Sequence, residues 1–170
     1  PVTGKFIAWV RINTLQYNQD TTFYMFYGNS SVTTSQQNPN TVWNSIYMGV
    51  YHMKETPTVT SAEPNSLLTG STSLTFNAGM SAGNQVAGVI NGSIEFDGAN
   101  STDSMTQGGV DQLLQTTSQL TLEAWIKRKE TGEVVVLARG GTGLSKNYSI
   151  YLSNGGEEVE FRYSTYANGE

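Results

Sequence analysis

The sequence predicts an all-β protein built from antiparallel β-sandwich modules, on three observations. Apolar and polar residues alternate with period two in short runs; Gly, Asn, Ser and Thr clusters separate those runs; and helical periodicity is nearly absent. With 170 residues, 11% of them aromatic, the chain is long enough for one large core or two smaller ones filled by bulky side chains.

Taken in order, residues 5–12 place Phe6, Ala8, Val10 and Ile12 on one strand face, and residues 22–27 are apolar on both faces before Gly28-Asn29 ends them. These two runs are expected to pair as a hairpin across residues 13–20. Residues 29–40, rich in Ser, Thr, Gln and Asn and carrying Pro39, read as an exposed loop or linker, and a module boundary is placed there. A strand over 46–53 follows, then a polar stretch over 56–73, then strands at 74–78, 85–89 and 93–97. Residues 110–115 suggest one helical turn. The later strands, 120–127, 133–138, 148–152 and 159–163, alternate most regularly. In the first of them Leu120, Leu122, Ala124 and Ile126 share a face opposite Glu123, Trp125 and Lys127; in the last, Val159, Phe161 and Tyr163 oppose Glu158, Glu160 and Arg162.

Composition excludes several partner classes. Charged residues are 14% of the chain and the net charge is −5, so there is no basic stripe for nucleic acid or an anionic membrane. No apolar run reaches the roughly 20 residues of a membrane-spanning helix. The absence of cysteine removes disulfides and thiolate metal sites, which leaves packing to hold the fold. Residues Pro1-Val2-Thr3-Gly4 carry no signal-peptide pattern, so any export signal is expected upstream of them or already removed.

From Ile46 onward, the runs Tyr47-Met48-Gly49-Val50-Tyr51-His52-Met53, Gly92-Ser93-Ile94-Glu95-Phe96-Asp97-Gly98, Leu120-Thr121-Leu122-Glu123-Ala124-Trp125-Ile126-Lys127, Tyr148-Ser149-Ile150-Tyr151-Leu152 and Glu160-Phe161-Arg162-Tyr163 resemble the concanavalin A-like jelly roll of the laminin-G-like family. Before them, Ala8-Trp9-Val10-Arg11-Ile12, Phe23-Tyr24-Met25-Phe26-Tyr27-Gly28-Asn29 and Val42-Trp43-Asn44-Ser45 resemble the C-terminal end of a DUF2341 domain. The resemblance implies two modules: residues 1–42 as the last strands of a DUF2341-like β-module with a linker, and residues 43–170 as a laminin-G-like jelly roll. It further implies that some strands of each module lie outside the chain, supplied by the rest of a longer polypeptide or by a neighbouring subunit through strand addition.

Candidate sites follow from side-chain chemistry. Trp125 faces away from its strand's apolar set, and with Tyr151 and Tyr163 it could line a shallow glycan groove; the alternative for such large aromatics is core packing. His52, the single histidine, is expected to be packed or hydrogen-bonded, with ligand contact as its second reading. Trp43 is assigned to packing between modules. Asp97 and Asp103 offer oxygen ligands for Ca²⁺, which the laminin-G-like resemblance also implies, while Asp-Gly followed by Asn-Ser equally suits a tight turn. Glu158 and Glu160 share a strand face beside Arg162 and read as a solvated edge, and no Glu-x-Asp-x-x-Glu pattern of the glucanases on this fold occurs. Asn-x-Ser/Thr sequons at Asn29, Asn91, Asn100 and Asn147 are compatible with export.

The expectation is therefore a non-catalytic extracellular or cell-surface module for adhesion or carbohydrate binding within a larger protein, with a glycan or another surface protein as partner. The alternative is a structural segment of a filament or surface layer joined through β-strand edges. A polysaccharide-degrading enzyme is third, since no acid/base pair or activated nucleophile can be placed.

Overall fold

A computed structural model describes residues 6–67, 73–97, 102–107, 119–129, 131–140, 146–153, 155 and 158–163. The protein is all-β, with antiparallel sheets and no helix longer than one turn among the described residues. It divides into two compact units, Pro1–Gly109 and Val110–Glu170, so the sequence boundary at residues 42/43 falls inside the first unit.

In the first unit, β1 (Ala62–Glu63), β2 (Leu74–Phe76) and β5 (Met105–Thr106) form one sheet in the order β1-β2-β5, and β3 (Gln85–Val86) pairs with β4 (Ser93–Ile94). Phe76, Met80 and Ile94 are buried together, with Met53 and Met105 packed against them. A 3₁₀ turn, Ala82–Asn84, leads into β3 and is fixed at both ends: the Ser81 N–H donates to Asn84 Oδ1 at 2.8 Å and the Gly83 N–H to Ser81 Oγ at 3.3 Å. The β3–β4 connection is tight. A Cβ at Gly88 would stand 1.9 Å from the Gly92 carbonyl oxygen, so the two backbones approach this closely only because residue 88 is glycine.

The expected hairpin of 5–12 with 22–27 does not form. Its described residues, 6–12 and 22–27, belong to no strand or ladder, with Phe26 and Tyr27 93% and 87% exposed. Residues 13–20 lack a tight-turn dipeptide, and no described layer covers either face; a bare two-stranded hairpin is marginal in water. A single helical turn, α1 (Pro39–Val42), ends this segment, with Pro at its first position and the Trp43 N–H donating to the Pro39 carbonyl at 2.8 Å.

The strand expected at 46–53 does not form: Ile46 lies in a turn and Met48 in a bend, and over residues 50–55 side chains take the place of a partner strand. Asn65 Oδ1 accepts the Val50 N–H at 3.0 Å; Glu63 Oε1 accepts the His52 and Met53 N–H groups at 3.1 and 2.8 Å; and Glu63 Oε2 accepts the Glu55 N–H at 3.2 Å. Two residues apart across Pro64, Glu63 and Asn65 thus hold the 50–55 backbone from one side. Met53 takes a left-handed conformation, φ 53°, in the middle of this clamp.

In the second unit, β6 (Val134–Gly140), β7 (Lys146–Leu152) and β8 (Val159–Tyr163) form one antiparallel sheet with β7 in the centre. Tyr148, Ser149, Tyr151 and Leu152 of β7 are buried. The β7–β8 register is unbroken, from Tyr148 opposite Tyr163 to Leu152 opposite Val159, whereas β6 carries an irregularity between Val135 and Leu137. Residues 120–127 are not a strand: Leu120, Thr121 and Leu122 lie over the sheet face and form, with Ile150, Val159 and Phe161, an open cleft of about 390 Å³. Lying on a face rather than along an edge, this segment has no ladder to join. The turn expected at 110–115 lies outside the described residues.

Candidate functional site

Four segments of the first unit bring aromatic rings together at the surface. The α1 turn directs Trp43 back along the 6–12 segment, where the Arg11 guanidinium donates through Nη1 to the Thr41 carbonyl at 3.2 Å. Two residues away on each side, Trp9 meets Trp43 with ring centroids 5.6 Å apart, tilted by 52°. A turn at Asn44, whose carbonyl accepts the Tyr47 N–H at 3.1 Å, folds Tyr47 edge-on against Trp43 at 5.2 Å. The Glu63 clamp on the backbone of residues 52–55 presents the His52 ring, which stacks on Trp9 at 5.0 Å with an interplanar angle of 21°.

The cluster is open. Trp9 and Tyr47 remain 43% and 45% exposed, while Trp43 and His52 are half-buried. Burial holds the His52 imidazole below its ordinary pKa of 6.5, the Glu63 carboxylate opposes that by favouring the charged form, and the Lys54 ammonium adds to the lowering. The ring is therefore neutral at pH 7. Because the folded-state pKa is the lower one, this contribution to stability is complete above about pH 6.5 and is lost as pH falls through the folded value. Acidification should quench tryptophan emission with a midpoint below 6.5, since a protonated imidazole would stack on Trp9, and His52→Phe should remove that transition. An unchanged titration in the variant would place the transition elsewhere.

The other sequence-predicted site residues lie apart from this cluster. Trp125 is 77% exposed on the second unit. Register alternation puts Tyr163 on the β7–β8 face that carries Ile150 and Phe161, while Tyr151 is on the opposite face, buried beneath the Arg162 guanidinium at 4.0 Å. Tyr151 and Tyr163 therefore do not line one groove. Glu160 Oε2 accepts from Arg162 Nη2 at 2.8 Å, and Glu133 Oε2 from the same nitrogen at 3.5 Å, an exposed network of the kind expected on a solvated edge. Asp103 Oδ2 accepts from Asn84 Nδ2 at 3.0 Å and from the Asp97 N–H at 3.2 Å. Calcium takes about six to eight oxygens; among the described residues no group of three potential ligand side chains gathers.

Sequence reasoning named His52 and Trp43 separately and missed Trp9 and Tyr47 as their partners. It also passed over Glu63 and Asn65, which lie in a polar stretch with no periodicity to flag them.

Together these features define an all-β, antiparallel protein with an open aromatic cluster near its N-terminal end, and no described helix is long and apolar enough to cross a membrane. Residues 1–62 match the sequence model of DUF2341, a domain of unknown function, and that range contains the whole cluster. No curated protein and no solved structure matches the chain.

Proposed function

We propose that the chain is a non-catalytic recognition module of a larger extracellular or cell-surface protein, and that the Trp9–His52–Trp43–Tyr47 cluster binds carbohydrate. The observation carrying this reading is the exposed indole of Trp9, braced from behind by a neutral imidazole and flanked by Trp43 and Tyr47. The apolar face of a pyranose ring stacks on such a surface, and neutral polar groups at the rim orient its hydroxyls. A surface solvated by Ser, Thr, Asn and Gln rather than by charge supports the same reading. In this proposal the residues beyond the DUF2341 match, 63–170, belong to a laminin-G-like jelly roll, with the β6–β8 sheet supplying part of one layer.

The test is polysaccharide affinity electrophoresis and a glycan array with the full chain, with and without chelator. Trp9→Ala should weaken binding by about tenfold or more, roughly 1.4 kcal/mol, with an unchanged circular-dichroism spectrum, and Trp9→Phe should retain most of it. A chain that binds no glycan, or a Trp9→Ala variant that binds as tightly as wild type, would overturn the reading.

A further inference from the structure

The outer edge of β8 has no partner among the described residues, since β7 lies on its other side and the sheet order ends there. Natural edge strands are guarded by proline, lysine, bulges or extreme shortness. This one has none of the first three: Val159-Glu160-Phe161-Arg162-Tyr163 is five residues long and pairs with β7 in unbroken register. It also displays apolar side chains at every second position, with Val159, Phe161 and Tyr163 at 70%, 55% and 44% exposure.

The same five residues are complementary to themselves. Set antiparallel to a copy about a two-fold axis through Phe161, β8 brings Phe161 against Phe161, Val159 against Tyr163 and Glu160 against Arg162. The first two pairings join apolar side chains on one face of the sheet, and the third joins opposite charges on the other face, twice over by symmetry. Glu160 and Arg162 already bond within one chain, so the axis would assemble four charges of alternating sign. A parallel, in-register pairing would instead set Glu160 against Glu160 and Arg162 against Arg162.

We propose that the β8 edge is a homodimer interface, in which a second copy of this chain adds its β8 antiparallel and centred on Phe161, extending β6-β7-β8 into one continuous sheet. The occupant is a second copy because both the charge pairing and the apolar pairing close only under this two-fold.

The chain contains no cysteine, so single cysteines report the register directly. Across an antiparallel pair the opposed Cα atoms lie about 4.5–5.5 Å apart, within disulfide range. Sedimentation velocity of the full chain should show a species of twice the monomer mass. Under mild oxidation Phe161→Cys should cross-link to its own copy. Val159→Cys and Tyr163→Cys should each stay uncross-linked alone but join when the two variants are mixed. Phe161→Lys, which opposes like charges across the axis, should sediment as monomer with an unchanged circular-dichroism spectrum. A wild-type chain monomeric at all concentrations would overturn the proposal. So would self-cross-linking of Val159→Cys, or a Phe161→Lys variant that assembles like wild type. A dimer cross-linking through residues other than these would equally overturn it.

Discussion

Glu63→Ala is expected to lower the stability of the first unit by about 3–4 kcal/mol, since an unsatisfied buried donor costs about 1–3 kcal/mol and three are created here, partly reached by water. The side chain is fully buried, and its two oxygens accept the backbone N–H groups of His52, Met53 and Glu55. No neighbouring strand offers those groups an alternative acceptor, because the 50–55 segment is held by side chains and not by a ladder. Glu63→Gln should cost less, about 1–2 kcal/mol. Its carbonyl oxygen can still serve two of the donors, while its amide turns an N–H toward the third. Urea denaturation followed by tryptophan emission measures the loss. Native-state amide exchange locates it: residues 52, 53 and 55 should exchange faster in Glu63→Ala, while β7 is unchanged. Equal acceleration throughout the chain would mean that the carboxylate is a general support rather than a local clamp.

The clamp also bears on function. His52 stacks on Trp9 because the backbone at 52–53 is fixed, so a variant that releases that backbone should weaken the aromatic cluster without touching a ring. Stability and recognition in the first unit are coupled through one carboxylate.

How far the sequence foretold this arrangement depends on what periodicity measures. Alternation reports which residues share a face, and it found six of the eight described strands: β2, β3 and β4 fall within predicted runs, and β6, β7 and β8 lie on or overlap them. It does not report whether a partner exists. Residues 6–12, 22–27, 46–53 and 120–127 alternate or carry dense apolar runs, yet they remain outside the ladders for different physical reasons: no covering layer for the first two, side-chain acceptors for the third, face-on packing for the fourth. The two-residue strands β1 and β5 went unseen because their pairing is set by tertiary contact, and two residues contain no period.

The site was legible only in pieces. His52 and Trp43 stand out as rare residue types, but a cluster made of residues 9, 43, 47 and 52 depends on a one-turn helix and an asparagine turn to close it. The proposed groove of Trp125, Tyr151 and Tyr163 failed on parity: residues 151 and 163 face each other's neighbours across the β7–β8 register, Tyr151 opposite Glu160 and Tyr163 opposite Tyr148. Parity across a hairpin follows from register, which the intervening Gly-rich turn leaves open.

Phe76→Ala should be the most damaging change to the first unit's core, costing about 3–4 kcal/mol, near the lower end for deletion of a buried phenylalanine. Phe76 is 3% exposed in β2, the central strand of its sheet, and packs with Met80 and Ile94, with Met53 and Met105 alongside. Three of those four neighbours are methionines, whose flexible side chains can move into the space and recover some contact, which is why the upper end is not expected. Phe161→Ala supplies the control: the same chemical deletion at a residue 55% exposed on the β8 edge should cost a monomeric chain about 0.5 kcal/mol or less. If the two substitutions proved equally costly in the monomer, Phe161 would have to be covered in solution by a layer of the same chain. If Phe161→Ala were costly only at concentrations where the chain dimerises, the missing layer would be the second copy, and edge pairing and stability would be one linked equilibrium.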